Sequence, residues 1–113
     1  MEKENHVSVR EIIETKLARK IAEKPHLSKD IGALYQFIIT GKEGGEWILD
    51  FRGGSFKLSQ GHCQNPDCIF TSSDQNLIDL FTGKINPALA FLTGQIRFTD
   101  LYYASKLKPL FVD

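Results

Sequence analysis

Histidine and cysteine are the residue types in this chain best suited to chemistry, and their spacing argues against it. His6, His26 and His62 are scattered over segments that read as terminus or loop. None stands where a base would activate a serine or cysteine nucleophile. His62-Cys63 and Cys68 bring three soft ligands into one short loop. A structural zinc needs four, and no second pair follows, so no metal is expected. Gly53-Gly54 precedes a strand rather than a helix, which excludes a phosphate-cradling loop. The carboxylates fall on helix caps or outer strand faces, where solvated surface charge accounts for them. No acid, base and nucleophile assemble, so the chain reads as non-enzymatic and without a cofactor.

Composition bounds the rest. A length of 113 residues suits a single domain, 1–113, that buries roughly two-thirds of its unfolded surface. Fourteen basic and fourteen acidic side chains cancel, which removes any electrostatic pull towards nucleic acid. Hydrophobic residues at 42% supply a core and exclude a disordered chain. No apolar run approaches the ~18 residues of a membrane span. The polar start Met1-Glu2-Lys3-Glu4-Asn5-His6 has no apolar signal segment, so a cytoplasmic location is expected, with Cys63 and Cys68 as free thiols.

The periodicity changes twice along the chain. Val9, Ile13, Leu17 and Ile21, flanked by Ile12 and Ala18, make an apolar stripe that predicts a helix over about 8–24. Ser8 with Glu11 has capping-box spacing, and Pro25 stops the helix. Residues 31–40, 46–52 and 55–60 then alternate. Tyr35, Phe37 and Ile39 share one face, as do Trp47, Leu49 and Phe51, and Phe56 and Leu58. With a tight hairpin at Gly53-Gly54 they predict an antiparallel meander, one face buried and one wet. Residues 68–72 read as a fourth strand. Ser72 and Gln75 have the spacing of a second capping box. Gly83 suits a helix end, Asn86-Pro87 a helix start, and Gly94 the next end. A fifth strand at 95–99 and a last helix capped by Asp100 complete the order, with Pro109-Leu110-Phe111 as an apolar tail. The two helices between strands four and five are long enough to make those strands parallel neighbours. The class is α+β: a five-stranded mixed sheet, an antiparallel meander plus a parallel crossover, with helices covering one face.

The apolar inventory is larger than the charge pattern requires. Leu77, Leu80, Phe81, Phe91 and Leu92 sit on short helices, and Leu101, Tyr102, Leu107, Leu110 and Phe111 near the end. Phe37, Trp47, Leu49 and Phe98 belong to one sheet face. Large side chains around short, glycine-separated helices either fill a core or enclose a cavity, and periodicity alone fits the core.

The stretch Pro66 to Phe98 resembles the sterol carrier protein 2 domain. Asp67 and Thr71 match the family's Asp-x-x-x-Thr strand. Gly83, Lys84 and Pro87 match its Thr-Gly-Lys-x-Asn-Pro turn. Ala90, Phe91 and Gly94 match the helix that follows. The Tyr35-x-Phe37 and Trp47-x-Leu49 strands also stand where the family has theirs, so the resemblance covers about residues 32–111. Thr99-Asp100 replaces the family's Gly-Asp, and the loop His62-Cys63-Gln64-Asn65 is idiosyncratic.

The resemblance implies a stand-alone, prokaryotic member that binds a hydrophobic lipid in an internal tunnel between helices and sheet, and transfers or presents it. The ligand classes implied are fatty acid, acyl-CoA, sterol-like and isoprenoid lipids. The fourteen apolar residues named in the inventory become candidate tunnel wall. Implied partners are the lipid, a transient membrane contact and a lipid-modifying enzyme. The alternative role is an accessory module for a lipid- or quinone-modifying complex. The tail from Pro109 onward is expected to serve as a lid, removable at little cost to folding.

Overall fold

Ser8 starts the first helix in the computed structural model, which describes residues 7–111. The Glu11 amide donates to the Ser8 hydroxyl at 3.0 Å, which satisfies one of the unpaired amides of the first turn. His6, with the polar stretch before it, lies outside the described residues. Helices α1 (Val9–Glu11) and α2 (Ala18–Glu23) are joined without a break by a wider π-wound segment, Ile12–Leu17. The stripe residues Val9, Ile12, Ile13, Leu17 and Ile21 are all buried. Lys24 leaves helical geometry ahead of Pro25, as its pre-proline position requires. The chain then forms a further helix, α3 (His26–Ile31), that periodicity does not announce. Gly32, with φ of 55°, closes it. The first strand therefore starts at residue 34 rather than 31.

The strands are β1 (Leu34–Thr40), β2 (Gly45–Asp50), β3 (Lys57–Gln60), β4 (Cys68–Ser73) and β5 (Ile96–Phe98). They form one mixed sheet in the order β3-β2-β1-β4-β5. β1–β2 and β2–β3 are antiparallel, so the expected meander is present. The link between β2 and β3 is a short 3-10 turn, Arg52–Gly54, rather than a tight hairpin at the two glycines. The parallel pair is β1 with β4, not β4 with β5. Helices α4 (Asp74–Phe81) and α5 (Pro87–Leu92) separate β4 from β5. Two short helices carry the chain away and back, so Ile96 at the start of β5 faces Ser72 near the end of β4. One crossover helix would have left the strands parallel.

The parallel β1–β4 pair creates a strap. After β3 the chain must return to the opposite end of the sheet, and residues 61–67 make that crossing. Gln36 anchors it. Its Nε2 donates to the Gly61 carbonyl at 2.9 Å, and its Oε1 accepts from the Cys63 amide at 2.8 Å. Asp67 docks the far end, its Oδ2 accepting from the Leu34 amide at 2.8 Å. Gln36 is thus fully buried, where simple alternation reads it as wet.

The other sheet face carries the helices. Tyr35, Phe37, Trp47, Leu49, Cys68 and Phe70 are buried there in one core with the stripe of the first helix. Glu14 Oε2 accepts from the Trp47 indole at 2.9 Å and fixes the helix across β2. The cap of α4 is Ser73, one residue later than the spacing suggests: its hydroxyl accepts from the Asn76 amide at 3.0 Å. Ser72 is instead a buried strand residue facing the helices. The last segment is helical too, with α6 (Leu101–Lys106) followed by α7 (Lys108–Phe111).

Candidate functional site

Two helix caps and one hydrogen bond place the walls of an apolar cavity. Asn86 caps α5, its Oδ1 accepting from the Ala88 and Leu89 amides at 2.8 and 3.2 Å, with Pro87 at the first helical position. Asp100 caps α6 by accepting from the Tyr103 amide at 3.0 Å. It does so directly after β5, with Thr99 in place of the family's glycine. Tyr35 then ties α6 to the sheet, its hydroxyl donating to the Tyr103 carbonyl at 2.7 Å.

The resulting cavity of about 270 Å³ lies between α5, β5, α6 and α7. Pro87, Ala88, Phe91, Ile96, Phe98, Leu101, Ala104 and Phe111 give an apolar wall, and only Ser105 and Lys108 are polar. The aromatic rings are continuous with the core. Phe70 lies 5.0 Å from Phe98 and 5.7 Å from Phe111, and Phe91 lies 6.1 Å from Phe98. Such offset contacts hold each ring in place. A depression of 320 Å³ beside α2 is walled by Lys16, Arg19, Lys20, Glu23, Lys24 and Phe81, so its chemistry is ionic.

The candidate wall residues divide by location. Phe91, Phe98, Leu101 and Phe111 line the apolar cavity. Phe37, Trp47, Leu49, Leu77, Leu80, Leu107 and Leu110 are buried in the main core. Phe81 borders the ionic depression, while Leu92 and Tyr102 point outward, at 76% and 62% exposed. Pro87, Ala88, Ile96, Ala104, Ser105 and Lys108 were not singled out by the sequence. Ala88, Ala104, Ser105 and Lys108 are small or polar and carry no apolar signal, and Ile96 reads as an ordinary core residue of β5. The spacing Pro87-Ala88-Phe91, one turn of a helix, is the pattern that finds two of them.

Tyr35 and Cys68 are the buried titratable groups beside α6. Burial pushes the Tyr35 hydroxyl well above the usual range, with the charges of Cys68 and Asp67 adding to it. Burial likewise raises the Cys68 thiol, which sits 3.7 Å from the Asp100 carbonyl. Both stay protonated at neutral pH, so neither offers a nucleophile or a base. Cys63, on the strap itself, is also raised by burial. No group of three or more His, Cys, Asp or Glu among the described residues is placed to hold a metal ion. Nor is any described helix long and apolar enough to cross a membrane.

The fold is thus a helix-covered mixed sheet with an apolar cavity beside β5. The SCP-2 sterol transfer family model matches residues 13–112, and the chain belongs to that family. It is 31% identical over 84 residues to hydroxysteroid dehydrogenase-like protein 2 of Xenopus tropicalis, covering 73% of this chain and 20% of that protein. It is 33% identical over 86 residues to sterol carrier protein 2 of Oryctolagus cuniculus, covering 73% of this chain and 16% of that one. The chain thus spans about a fifth or less of these two relatives. Among solved structures, the palmitated SCP2L2 of Aedes aegypti aligns with a TM-score of 0.76 at 26% identity, covering 95% and 96% of the two chains. A ubiquinone synthesis protein, UbiJ-SCP2, shares the fold at a TM-score of 0.65 and 16% identity, covering 87% and 88%.

Proposed function

We propose that the chain binds a slim lipid by its tail, between α5, β5, α6 and α7, and carries or presents it without chemistry of its own. The observation that carries this is the wall: eight of its ten lining residues are apolar, and the two polar ones, Ser105 and Lys108, sit together in sequence on α6 and α7. That arrangement suits an amphiphile with its tail inside and an anionic head beside the Lys108 ammonium. A volume of about 270 Å³ is at the low end for a ligand site (~300–1,000 Å³), which favours a single acyl or isoprenoid chain over a ring system. The palmitated mosquito relative supports an acyl ligand. Each buried methylene contributes about 0.8 kcal/mol, and ordering costs remove part of the sum, so micromolar affinity is expected.

The test is native mass spectrometry of the purified protein, with lipid extraction and then titration with palmitate. One acyl or isoprenoid chain per protein is expected. Phe91 is partly exposed, so Phe91→Asp should leave the fold intact and weaken palmitate binding at least tenfold, about the worth of one buried aromatic side chain. A protein that takes up no chain, or a variant that binds as well as the original, would sink the reading.

A second reading is presentation to an enzyme. It is favoured by the hydroxysteroid dehydrogenase-like relatives, in which the matched stretch is a small part of a longer chain. The cavity would then hold the tail while a lipid-modifying partner works on the head.

A further inference from the structure

We propose that Tyr35 and Lys106 are positioning residues that hold α6 away from α5 and so keep the cavity open for its ligand. The inference rests on the lipid-binding reading and names the groups that preorganise its site. A hollow of about 270 Å³ with an apolar wall calls for an explanation. Protein interiors are close-packed, with few voids larger than a water molecule. Apolar walls that face water gain free energy by closing on one another. The wall least held by packing is α6, because none of its six residues is buried. By contrast α5 buries Ala90, β5 buries Ile96 and α7 buries Leu110.

The two faces of α6 have different duties. Leu101, Ala104 and Ser105 share one face, at three- and four-residue spacing, and line the cavity. Tyr102, Tyr103 and Lys106 fall on the opposite side of the helix, and both polar anchors act there. The buried Tyr35 hydroxyl donates to the Tyr103 carbonyl at 2.7 Å. The helix leaves that carbonyl over: the Leu107 amide turns to Ala104 at 3.1 Å, one residue short of its α-helical partner. A phenylalanine ring would fill the same core space, so the tyrosine oxygen serves α6. The Lys106 ammonium donates at 2.9 Å to the Asp30 carbonyl, in the last turn of α3, where helix carbonyls lack amide partners. It also lies 5.1 Å from the Tyr102 ring centre, which keeps the lysine on that side. Both bonds draw α6 towards β1 and α3, from behind the wall that it presents to the cavity.

The test is stopped-flow binding of cis-parinaric acid, a slim fluorescent fatty acid, to the wild type, Tyr35→Phe, Lys106→Met and the double variant. Where α6 falls inward in part of the molecules, only the open fraction binds, and apparent affinity drops by that fraction. Each single variant is expected to lose several-fold in affinity, about the worth of one hydrogen bond, and the double variant at least tenfold. The loss is expected in the association rate constant with dissociation unchanged, because neither side chain lines the cavity. Lys106 lies outside the buried core, so Lys106→Met should fold whatever becomes of Tyr35→Phe. Unchanged association in Lys106→Met and the folded double variant, with the probe bound by the wild type, would overturn the positioning role and leave the carrier reading standing. A loss confined to dissociation would overturn it too, since that places the side chains against the ligand. A wild type that takes up no probe would remove the carrier reading, and the positioning role with it.

Discussion

Asp74 shows how much one carboxylate does in this molecule. It begins α4, where the helix dipole favours an anion. One oxygen accepts from the Glu43 amide at 3.1 Å and the other from its own neighbour Gln75 at 2.7 Å. The β1–β2 hairpin is thereby fastened to α4. Gly41 allows the approach: a Cβ there would come within 2.5 Å of the Asp74 carboxylate, and its φ of 104° is itself a glycine conformation. The two amides, Glu43 first, hold the Asp74 carboxyl below its ordinary value. A depressed folded-state value stabilises the protein fully above the unfolded value of 3.8. That contribution is lost as the pH falls through the folded value. Asp74→Asn is therefore expected to flatten the acid limb of a melting-temperature profile between about pH 5 and 2, where protonation of Asp74 matters. An unchanged acid limb would show that other carboxylates set it.

The strap of residues 61–67 is the element whose order depends most on a single side chain. Gln36 is completely buried and serves the Gly61 carbonyl, the Cys63 amide and, at 3.2 Å, the Trp47 carbonyl. Gln36→Leu keeps the volume but leaves these groups without partners, each at a cost of about 1–3 kcal/mol when it stays dry. The expected result is at least tenfold faster hydrogen exchange at the Cys63 amide, about the loss of one such bond. Amides of β1 and β4 should keep their protection, because their ladder does not use the glutamine side chain. Loss of protection across the whole sheet would make Gln36 a global core residue instead.

On the scale of the whole molecule, the first helix decides where space remains. Ile12, Ile13 and Leu17 are fully buried and cover the sheet above Phe37, Trp47 and Leu49. The cavity therefore lies to one side, at β5 and the last helices. Those helices are not a detachable lid. Leu107 and Leu110 are fully buried, and the Leu110 carbonyl accepts from the Lys20 ammonium at 3.3 Å. Truncation before Pro109 removes a core leucine, worth about 2–5 kcal/mol, and should lower the melting temperature by roughly 10 °C or more. Phe111 is different: it is partly exposed and lines the cavity. Phe111→Ala should weaken palmitate binding several-fold with a smaller thermal shift. Calorimetry and titration on both variants check this pair of outcomes, and equal thermal losses would refute the division of labour.

Local signals were readable in the residues themselves. Caps at Ser8, Asn86 and Asp100, the stripe from Val9 to Ile21, and the alternation through β2 act over a few residues, and they recur in the structure. The motif from Asp67 to Gly94 carried the family. Pairing between distant strands was another matter. Periodicity describes a face but not its neighbour: the long connection predicts β4 and β5 as the parallel pair, whereas β4 runs parallel to β1 and antiparallel to β5. Burial of Gln36 depends on a strap that exists only because β1 and β4 run parallel. Which aromatic residues line space rather than fill it depends on what the first helix covers. Periodicity records that a side chain avoids water. Only the packed chain decides whether protein or a cavity takes the water's place.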